Sequence, residues 1–188
     1  MISSKPVRII SLVIVAVVVM VGVRAIGGGF AAGTDEPGDR PSGAASGKRG
    51  KSTVGIVTSV LDGDTVQVDL RDGREARVRF LGISAPEIPH PGKPGECYGQ
   101  AATRHLERLL PAGTQVTLVS DPTQGDVDVY GRWLRYVQAA GRDIGAAQIR
   151  SGSAAARDSS TPVARHAKYL RIEASARAGD RGLWSECR

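Results

Sequence analysis

Apolar and polar residues alternate over several short stretches of the chain, which is the pattern of half-buried strands. Asp- and Gly-rich turn signals at residues 61–64 and 71–74 separate the first three stretches, so these stretches are expected to form an antiparallel meander. Further alternating stretches follow later in the chain. The predicted strands cover residues 54–60, 65–70, 76–83, 116–120 and 131–138.

Apolar residues at helical spacing predict helices over residues 99–110, 144–151 and 163–178, with Asp143 as the cap of the second. The core-facing residues expected in the first helix are Ala102, Leu106, Leu109 and Leu110. Those expected in the last helix are Val163, Ala167, Leu170, Ala174 and Ala178. This order of elements predicts a mainly β fold with flanking helices, a five-stranded Greek-key barrel of the OB type.

Residues 9–23 form an apolar run without charge, which predicts a hydrophobic helix ahead of the barrel. Extended to residue 32, the segment is long enough to cross a hydrocarbon core of about 30 Å. A cleavable signal peptide and a single-pass membrane anchor both fit residues 1–32. Residues 33–51 are rich in Gly, Ser, Pro and charge, which is typical of a disordered linker.

A tether suits an anchored domain, so we slightly favour the membrane anchor over secretion. Under both interpretations the domain at residues 52–188 lies outside the cytoplasm. In such an oxidising compartment, the two cysteines of the chain, Cys97 and Cys187, predict a disulfide. The three histidines, His90, His105 and His166, lack the spacing of metal ligands, and we expect them in solvent.

Length and charge narrow the class of protein further. A chain of 188 residues has room for one domain besides the tail, which excludes a large two-domain enzyme, a propeller or a long repeat array. Seven Lys or Arg against three acids give residues 1–51 a net charge of +4, which leaves +2 of the total +6 for the domain. Charge alone is therefore a weak argument for a nucleic-acid partner.

Several polar residues suit chemistry better than structure. Asp62 and Asp64 stand at a hairpin tip, where a turn explains the first acid better than the second. Arg79 lies mid-strand on a half-apolar face, so it is expected at a barrel mouth or beside a neutralising acid. Glu87 follows the end of that strand, and Arg132 opens a later one. Together these residues fit phosphodiester hydrolysis. The two aspartates can bind a hard cation, the two arginines can neutralise charge on the phosphate, and the glutamate can act on a water molecule.

The chain also resembles the staphylococcal nuclease (thermonuclease-like) family over residues 54–187. The resemblance is carried by five motifs, which are VLDGDTV at 60–66, VRFLGISAPE at 78–87, CYG at 97–99, DVYGRWL at 128–134 and GLW at 182–184. It implies an OB-fold barrel with flanking helices. It also implies Ca²⁺-dependent hydrolysis of DNA and RNA that leaves 3′-phosphate ends.

The resemblance implies a role for individual positions. Arg79 and Arg132 match the two catalytic arginines that clamp the scissile phosphate, and Glu87 matches the catalytic glutamate that positions or deprotonates water. Tyr130 matches a tyrosine near the bound nucleotide. The pair Cys97 and Cys187 also resembles the disulfide of exported members.

At the implied metal site, Asp64 matches a calcium-ligand aspartate and Asp62 the acid beside it. Ala85 falls where a backbone carbonyl completes the calcium shell. Ser84 stands where the family has a second calcium-binding aspartate. Because Ca²⁺ affinity follows the number of carboxylate ligands, we expect weaker Ca²⁺ binding or the use of Mg²⁺ or another divalent metal.

The leading hypothesis is a monomeric, exported, metal-dependent nuclease acting on DNA and RNA without strong sequence preference, held to the membrane if its N-terminal segment stays uncleaved. The alternative is a catalytically weakened nucleic-acid-binding OB module. Ser84 favours this alternative, as does the absence at residues 154–161 of tyrosines that family members place beside the nucleotide. Intact Arg79, Glu87 and Arg132 speak against it, because binding alone does not require the glutamate. A third interpretation is a structural module of the cell envelope without a nucleic-acid partner, and only the low net charge of the domain supports it.

Overall fold

A computed structural model describes residues 50–188 of the chain. The apolar run and the signal or anchor predicted from it lie outside the described residues, as does nearly all of the predicted linker. Within residues 50–188, no helix combines the length and the apolarity that crossing a bilayer requires.

The described residues form a barrel of short strands with helices at its ends. The strands are β1 (Ser52–Asp62), β2 (Thr65–Leu70), β3 (Glu75–Phe80), β4 (Ile83–Ser84), β5 (Gln115–Val119), β6 (Trp133–Ala139), β7 (Arg142–Asp143) and β8 (Ala155–Ala156). The helices are α1 (Gly99–Leu109), α2 (Ile144–Arg150), α3 (His166–Ala178) and α4 (Leu183–Glu186).

Strand pairing closes the barrel. β1 pairs antiparallel with β2 on one side and β5 on the other, while β2 pairs with β3 and β5 with β6. The parallel pairing of β3 with β6, in which Val78 faces Trp133, completes the ring. Register shifts between Val57 and Ser59 and between Val60 and Asp62 bend β1, which lets one strand serve two neighbours. The predicted five-stranded barrel of the OB type is confirmed.

The core fills this barrel with small aliphatic side chains, as expected for a chain with only 4% aromatic residues. Fully buried positions alternate along the strands, as Val66 and Val68 show on β2 and Val78 on β3. Helix α1 covers one end of the barrel, and its predicted core face is confirmed at Ala102 and Leu106.

The predicted core face of the last helix is wrong for all of its residues except Val163, which precedes α3 and packs against the core. On α3 the buried residues are Tyr169, Glu173 and Ala176, whereas Leu170 is 46% exposed. Polar groups hold this face in addition to apolar contacts, because the Tyr169 hydroxyl donates to Asp143 Oδ1 at 3.0 Å and Glu173 accepts a backbone hydrogen bond. The spacing of apolar residues alone does not identify a face that includes a buried glutamate.

The predicted strand over residues 76–83 is broken in the structure. Gly82, with a φ of 72°, separates β3 from β4. Beyond this break, β4 leaves the barrel and pairs with β8 instead, Ile83 opposite Ala156. Two-residue strands such as these carry too little pattern to be predicted from sequence.

The structure confirms the prediction for the cysteines and contradicts part of the prediction for the histidines. Cys97 and Cys187 form the predicted disulfide, which joins the segment before α1 to the end of α4. The expectation of solvated histidines is wrong for two of the three, because His105 contacts the buried Gln148 and the Nδ1 atom of His166 is buried.

Asp143 joins α2 to α3, and it is the predicted N-cap of α2. Its carboxylate accepts hydrogen bonds from the Ala146 backbone at 3.0 Å, from Arg165 at 2.9 Å and from Lys168 at 2.8 Å, besides the Tyr169 hydroxyl. Burial by itself would raise the pKa of Asp143, but the hydrogen bond from Lys168, the cap and the two cations lower it below the ordinary value.

We expect Asp143→Asn to lower the free energy of unfolding near pH 7 by about 1–3 kcal/mol, because Arg165 and Lys168 lose a charged acceptor while the cap remains. A lowered folded pKa stabilises the protein above the unfolded pKa, and this contribution disappears as the pH falls through the folded pKa. The variant should therefore lose less stability between about pH 7 and about pH 2 than the natural chain. Urea unfolding at both pH values is the measurement, with the exposed Asp158→Asn as control. An equal pH dependence in Asp143→Asn and the natural chain would contradict this prediction.

Candidate active site

The turn between β1 and β2 carries two of the predicted site residues. Asp62 Oδ1 accepts a hydrogen bond from the Asp64 backbone at 2.9 Å, which closes the turn. Gly63 lies so close to its neighbours that a Cβ there would stand 2.5 Å from Ala85 Cβ and 3.0 Å from Ala102 Cβ. The absence of a side chain at Gly63 therefore lets the two acids lie directly against the segment after β4 and against α1.

Asp64 and Arg79 form a buried ion pair at this turn. Arg79 stands opposite Thr65 in the β2–β3 register, which brings its guanidinium beside the neighbouring Asp64. Arg79 Nη2 lies 2.9 Å from Asp64 Oδ2, and the two side chains are only 8% and 6% exposed. The same carboxylate oxygen accepts the Ala85 backbone N–H at 2.7 Å. Of the two surroundings expected for Arg79, the structure shows the neutralising acid.

The rest of the Arg79 guanidinium is also held. Its Nη1 donates to the carbonyl oxygens of Phe80 and Ile83, each at 3.0 Å. A guanidinium has five N–H donors, so with the bond to Asp64 two donors remain for a ligand. Burial lowers the pKa of Arg79 and Asp64 opposes this shift, but the group stays charged at all working pH values.

The positive charge of Arg79 does not fully compensate for the burial of the Asp64 carboxylate. Burial, together with the charge of Asp62, raises the pKa of its carboxyl to about 7 even though Arg79 acts in the opposite direction. A cation beside the turn would favour the ionised form. The turn and the segment bonded to it carry four oxygen-bearing groups, which are the Asp62 and Asp64 carboxylates, the Ser84 hydroxyl and the Ala85 carbonyl. Asp64 Oδ1 also accepts the Thr65 hydroxyl at 3.2 Å. Hard divalent cations prefer oxygen ligands. The type of ligand atom that these residues offer therefore fits a divalent cation.

The number of carboxylates is small for such a site. No group of three or more His, Cys, Asp or Glu side chains within residues 50–188 is placed to hold a metal ion. Ser84 is exposed at the end of β4, next to Ala85, and adds a neutral oxygen. With two acids in the turn, we expect the donor set to hold the cation weakly.

Arg132 lies in a turn organised by Asp128. Asp128 Oδ1 accepts the backbone N–H groups of Tyr130 and Arg132, at 2.9 and 3.0 Å, and Oδ2 accepts Arg132 Nε at 2.8 Å. The Arg132 guanidinium stands 5.3 Å from the centre of the Tyr130 ring, a cation–π distance. Tyr130 itself is 78% exposed.

These residues open onto one cleft of about 380 Å³, whose walls include Arg79, Asp128, Tyr130, Arg132 and Arg157. We call it the arginine cleft. The structure thus brings the two predicted catalytic arginines and the predicted nucleotide-binding tyrosine to one surface. Glu87 and the Asp62–Asp64 turn are not part of its walls.

Glu87 lies beyond Ala85, on a segment whose backbone is held while its side chain is open. Its N–H donates to Glu96 Oε2 at 3.1 Å, and its carbonyl accepts the Glu96 N–H at 2.9 Å. Gly99 packs so closely that a Cβ there would stand 2.3 Å from the Glu87 carbonyl oxygen. The Glu87 carboxylate is 46% exposed and 3.8 Å from His90 Nε2. It is therefore accessible to water and substrate.

Gln148 of α2 supports the turn, although its sequence pattern does not single it out. Gln148 is fully buried, and its Nε2 donates to the Gly63 carbonyl at 2.6 Å and to the Ala102 carbonyl at 3.2 Å. Its Oε1 contacts His105 Nδ1. The only local signal is one amide among the apolar residues of a short helix, which does not indicate its partners.

The amino-acid sequence of the chain is similar to those of a known protein family. The profile described as staphylococcal nuclease homologue matches residues 77–186. A thermonuclease of Staphylococcus intermedius is 39% identical over 82 residues, 44% of this chain and 46% of that protein. A Paracoccidioides lutzii protein, named a probable endonuclease, is 31% identical over 166 residues, 71% of this chain and 47% of that protein. The chain spans about half the length of the curated relatives it matches.

We expect Gln148→Leu to lower the free energy of unfolding by about 1–3 kcal/mol, because it leaves the buried Gly63 and Ala102 carbonyls without a donor. Denaturant unfolding measures the change. The exposed Gln100→Leu on α1 is the matched control and should stay within about 0.5 kcal/mol of the natural chain. Equal effects of the two substitutions would contradict a supporting role for Gln148.

Proposed function

The chain belongs to the staphylococcal nuclease family, and we propose that it is a metal-dependent nuclease that hydrolyses phosphodiester bonds of DNA and RNA. One observation carries the proposal: Arg79 and Arg132 share a cleft, and Arg79 is joined through Asp64 and Ala85 to the segment that bears Glu87. This connection supports a site in which the arginines bind phosphate and Glu87 acts on water.

In the proposed reaction, Arg79 and Arg132 bind the scissile phosphate and stabilise the charge that develops on it in the transition state. Three of the hydrogen bonds that Arg79 donates go to protein groups, so it needs little reorganisation when the substrate binds. Arg132 is more exposed and stands beside Tyr130, where a nucleotide can lie against the ring.

Glu87 positions a water molecule or accepts its proton. The water oxygen forms a bond to phosphorus, the bond from phosphorus to the 5′-oxygen breaks, and that oxygen takes a proton from solvent. The products are a 3′-phosphate and a 5′-hydroxyl. Because the cleft presents arginines to phosphate, and phosphate contacts carry no sequence information, we expect little sequence specificity.

A divalent cation, Ca²⁺ or in its place Mg²⁺, would be held by Asp64, the Ala85 carbonyl and the Ser84 hydroxyl, with Asp62 beside them. When bound, it supplies positive charge next to the scissile phosphate. The burial of Asp64 supports this assignment, because the carboxyl is desolvated beyond what Arg79 offsets.

A nucleic-acid-binding module without strong catalysis is the second candidate function. The neutral Ser84 favours it, since the turn then offers only two carboxylates to a metal. The accessible Glu87 favours hydrolysis, because phosphate binding gains nothing from a carboxylate that repels the ligand.

We further propose that the domain works outside the cytoplasm as a monomer, held to the membrane by residues 1–32 in preference to being secreted. The disulfide between Cys97 and Cys187 supports an oxidising compartment. Cell fractionation distinguishes the membrane-bound, secreted and cytoplasmic outcomes, and the last of these would overturn the proposal.

We expect Glu87→Gln in the full chain to slow hydrolysis of single-stranded DNA by about 10²-fold or more, because it removes the group that acts on water, while DNA binding persists. The assay compares Ca²⁺, Mg²⁺ and a chelator, with the disulfide intact. Glu107→Gln, an exposed acid on α1, is the control and should keep full activity. Salt-sensitive DNA binding without hydrolysis by the natural chain in any metal would establish the binding module instead.

We expect Ser84→Asp to lower the Ca²⁺ concentration needed for half-maximal binding by about tenfold, because it adds a carboxylate to the donor set. Calorimetric titration with Ca²⁺ measures this directly, and the Ca²⁺ dependence of hydrolysis gives a second readout. Ser59→Asp, at an exposed position of β1, controls for the added charge. An unchanged affinity in Ser84→Asp would contradict a metal site at the turn.

A further inference from the structure

Arg157 is held beside the corner that carries Arg79. It follows β8, and its backbone N–H donates to the Gly82 carbonyl at 2.9 Å, at the break between β3 and β4. The pairing of Ile83 with Ala156 lies directly next to this bond. The backbone of Arg157 is thus anchored to the same corner from which Arg79 reaches Asp64.

The side chain of Arg157 is exposed and forms part of the wall of the arginine cleft, together with Arg79 and Arg132. Its charge is close enough to Arg79 to contribute to the lowering of the Arg79 pKa, after burial. Three guanidinium groups therefore share one cleft of about 380 Å³.

The three arginines differ in how their charge is balanced. Arg79 is paired with Asp64 at 2.9 Å and Arg132 with Asp128 at 2.8 Å. Within residues 50–188, no carboxylate lies within 4.0 Å of the Arg157 guanidinium, and its side chain donates no hydrogen bond to protein. Arg157 is thus the cation of the cleft whose charge is left for an external anion.

We propose that Arg157 binds a second phosphate of the nucleic-acid strand, adjacent to the phosphate held by Arg79 and Arg132. This proposal rests on the proposed function, since it assumes that the scissile phosphate lies in the arginine cleft. A free guanidinium matches the two oxygens of a phosphodiester, and a polyanion relieves the repulsion among three like charges. A strand places its phosphates at regular intervals, so a ligand that meets one pair of arginines presents a further phosphate nearby.

The shape of the cleft agrees with a strand that continues past the site. Val129 is 93% exposed and Tyr130 is 78% exposed, so the rim beside Arg132 is open and partly apolar. A base can lie on this rim while its phosphate stays inside the cleft. The substrate class that uses all three arginines is therefore an oligonucleotide with at least two consecutive phosphates.

We expect Arg157→Ala to weaken binding of a single-stranded DNA octamer by about tenfold, because a charge-assisted contact is lost. The slope of log affinity against log salt should become shallower by about 0.7, the value for one phosphate contact to a single strand. Binding of a dinucleoside monophosphate, which has one phosphate, should not change. Arg157→Lys should be intermediate, since it keeps the charge and loses the planar fork.

Fluorescence anisotropy of the full chain in the Glu87→Gln background measures these affinities without cleavage of the ligand. Arg142→Ala, an exposed arginine of β7 outside the cleft, is the matched control, and thermal unfolding checks that each variant is folded. Equal octamer affinities for Arg157→Ala and Arg142→Ala would overturn the proposal, and so would an equal loss on both ligands. Either result leaves the nuclease proposal intact, because that proposal is tested by hydrolysis in the chain with Glu87 present. A selective loss on the octamer supports the role of Arg157 even if the chain proves to be a binding module.

Discussion

The buried ion pair between Asp64 and Arg79 is the contact on which the rest of the site depends. It joins the β1–β2 turn to β3, and the Ala85 N–H adds the segment after β4 to the same carboxylate. Removing one partner of such a pair leaves an uncompensated buried charge, which costs about 3–5 kcal/mol. The pair therefore determines both the stability of this corner and the positions of the proposed metal turn, Arg79 and the segment that bears Glu87.

A structural role and a functional role for Arg79 are compatible here. Hydrogen bonds to Asp64, Phe80 and Ile83 restrict the orientation of the guanidinium, and its other two donors have no acceptor within residues 50–188. Such preorganisation is what a group that stabilises transition-state charge requires. Arg132 contrasts with it, because its pair with Asp128 is more exposed and leaves room for adjustment to the ligand. The cleft thus combines one rigid arginine with less restricted ones.

The site also divides into two sides with opposite charge. The Asp62–Asp64 turn and Glu87 are acidic and suit a cation and a water, whereas the arginine cleft is basic and suits phosphate. The Asp64–Arg79 pair is the boundary between them, since each partner belongs to one side. In the proposed reaction the scissile phosphate lies at this boundary, where both sides can act on it. Gln148 keeps the acidic side in place by binding the carbonyl of Gly63 from α2.

Features that follow from local pattern were predictable from the amino-acid sequence. Alternation and Asp-Gly turns located the barrel strands, helical spacing identified the core face of α1, and a mid-strand arginine on a half-apolar face required a neutralising partner or a barrel mouth. Three other features depend on the folded chain, namely the buried face of α3, the support of Gly63 by a glutamine 85 residues away and the position of Arg157 in the cleft. Periodicity in a sequence indicates where apolar side chains point. A buried hydrogen bond or a shared electrostatic field depends instead on which distant elements meet after the chain has folded.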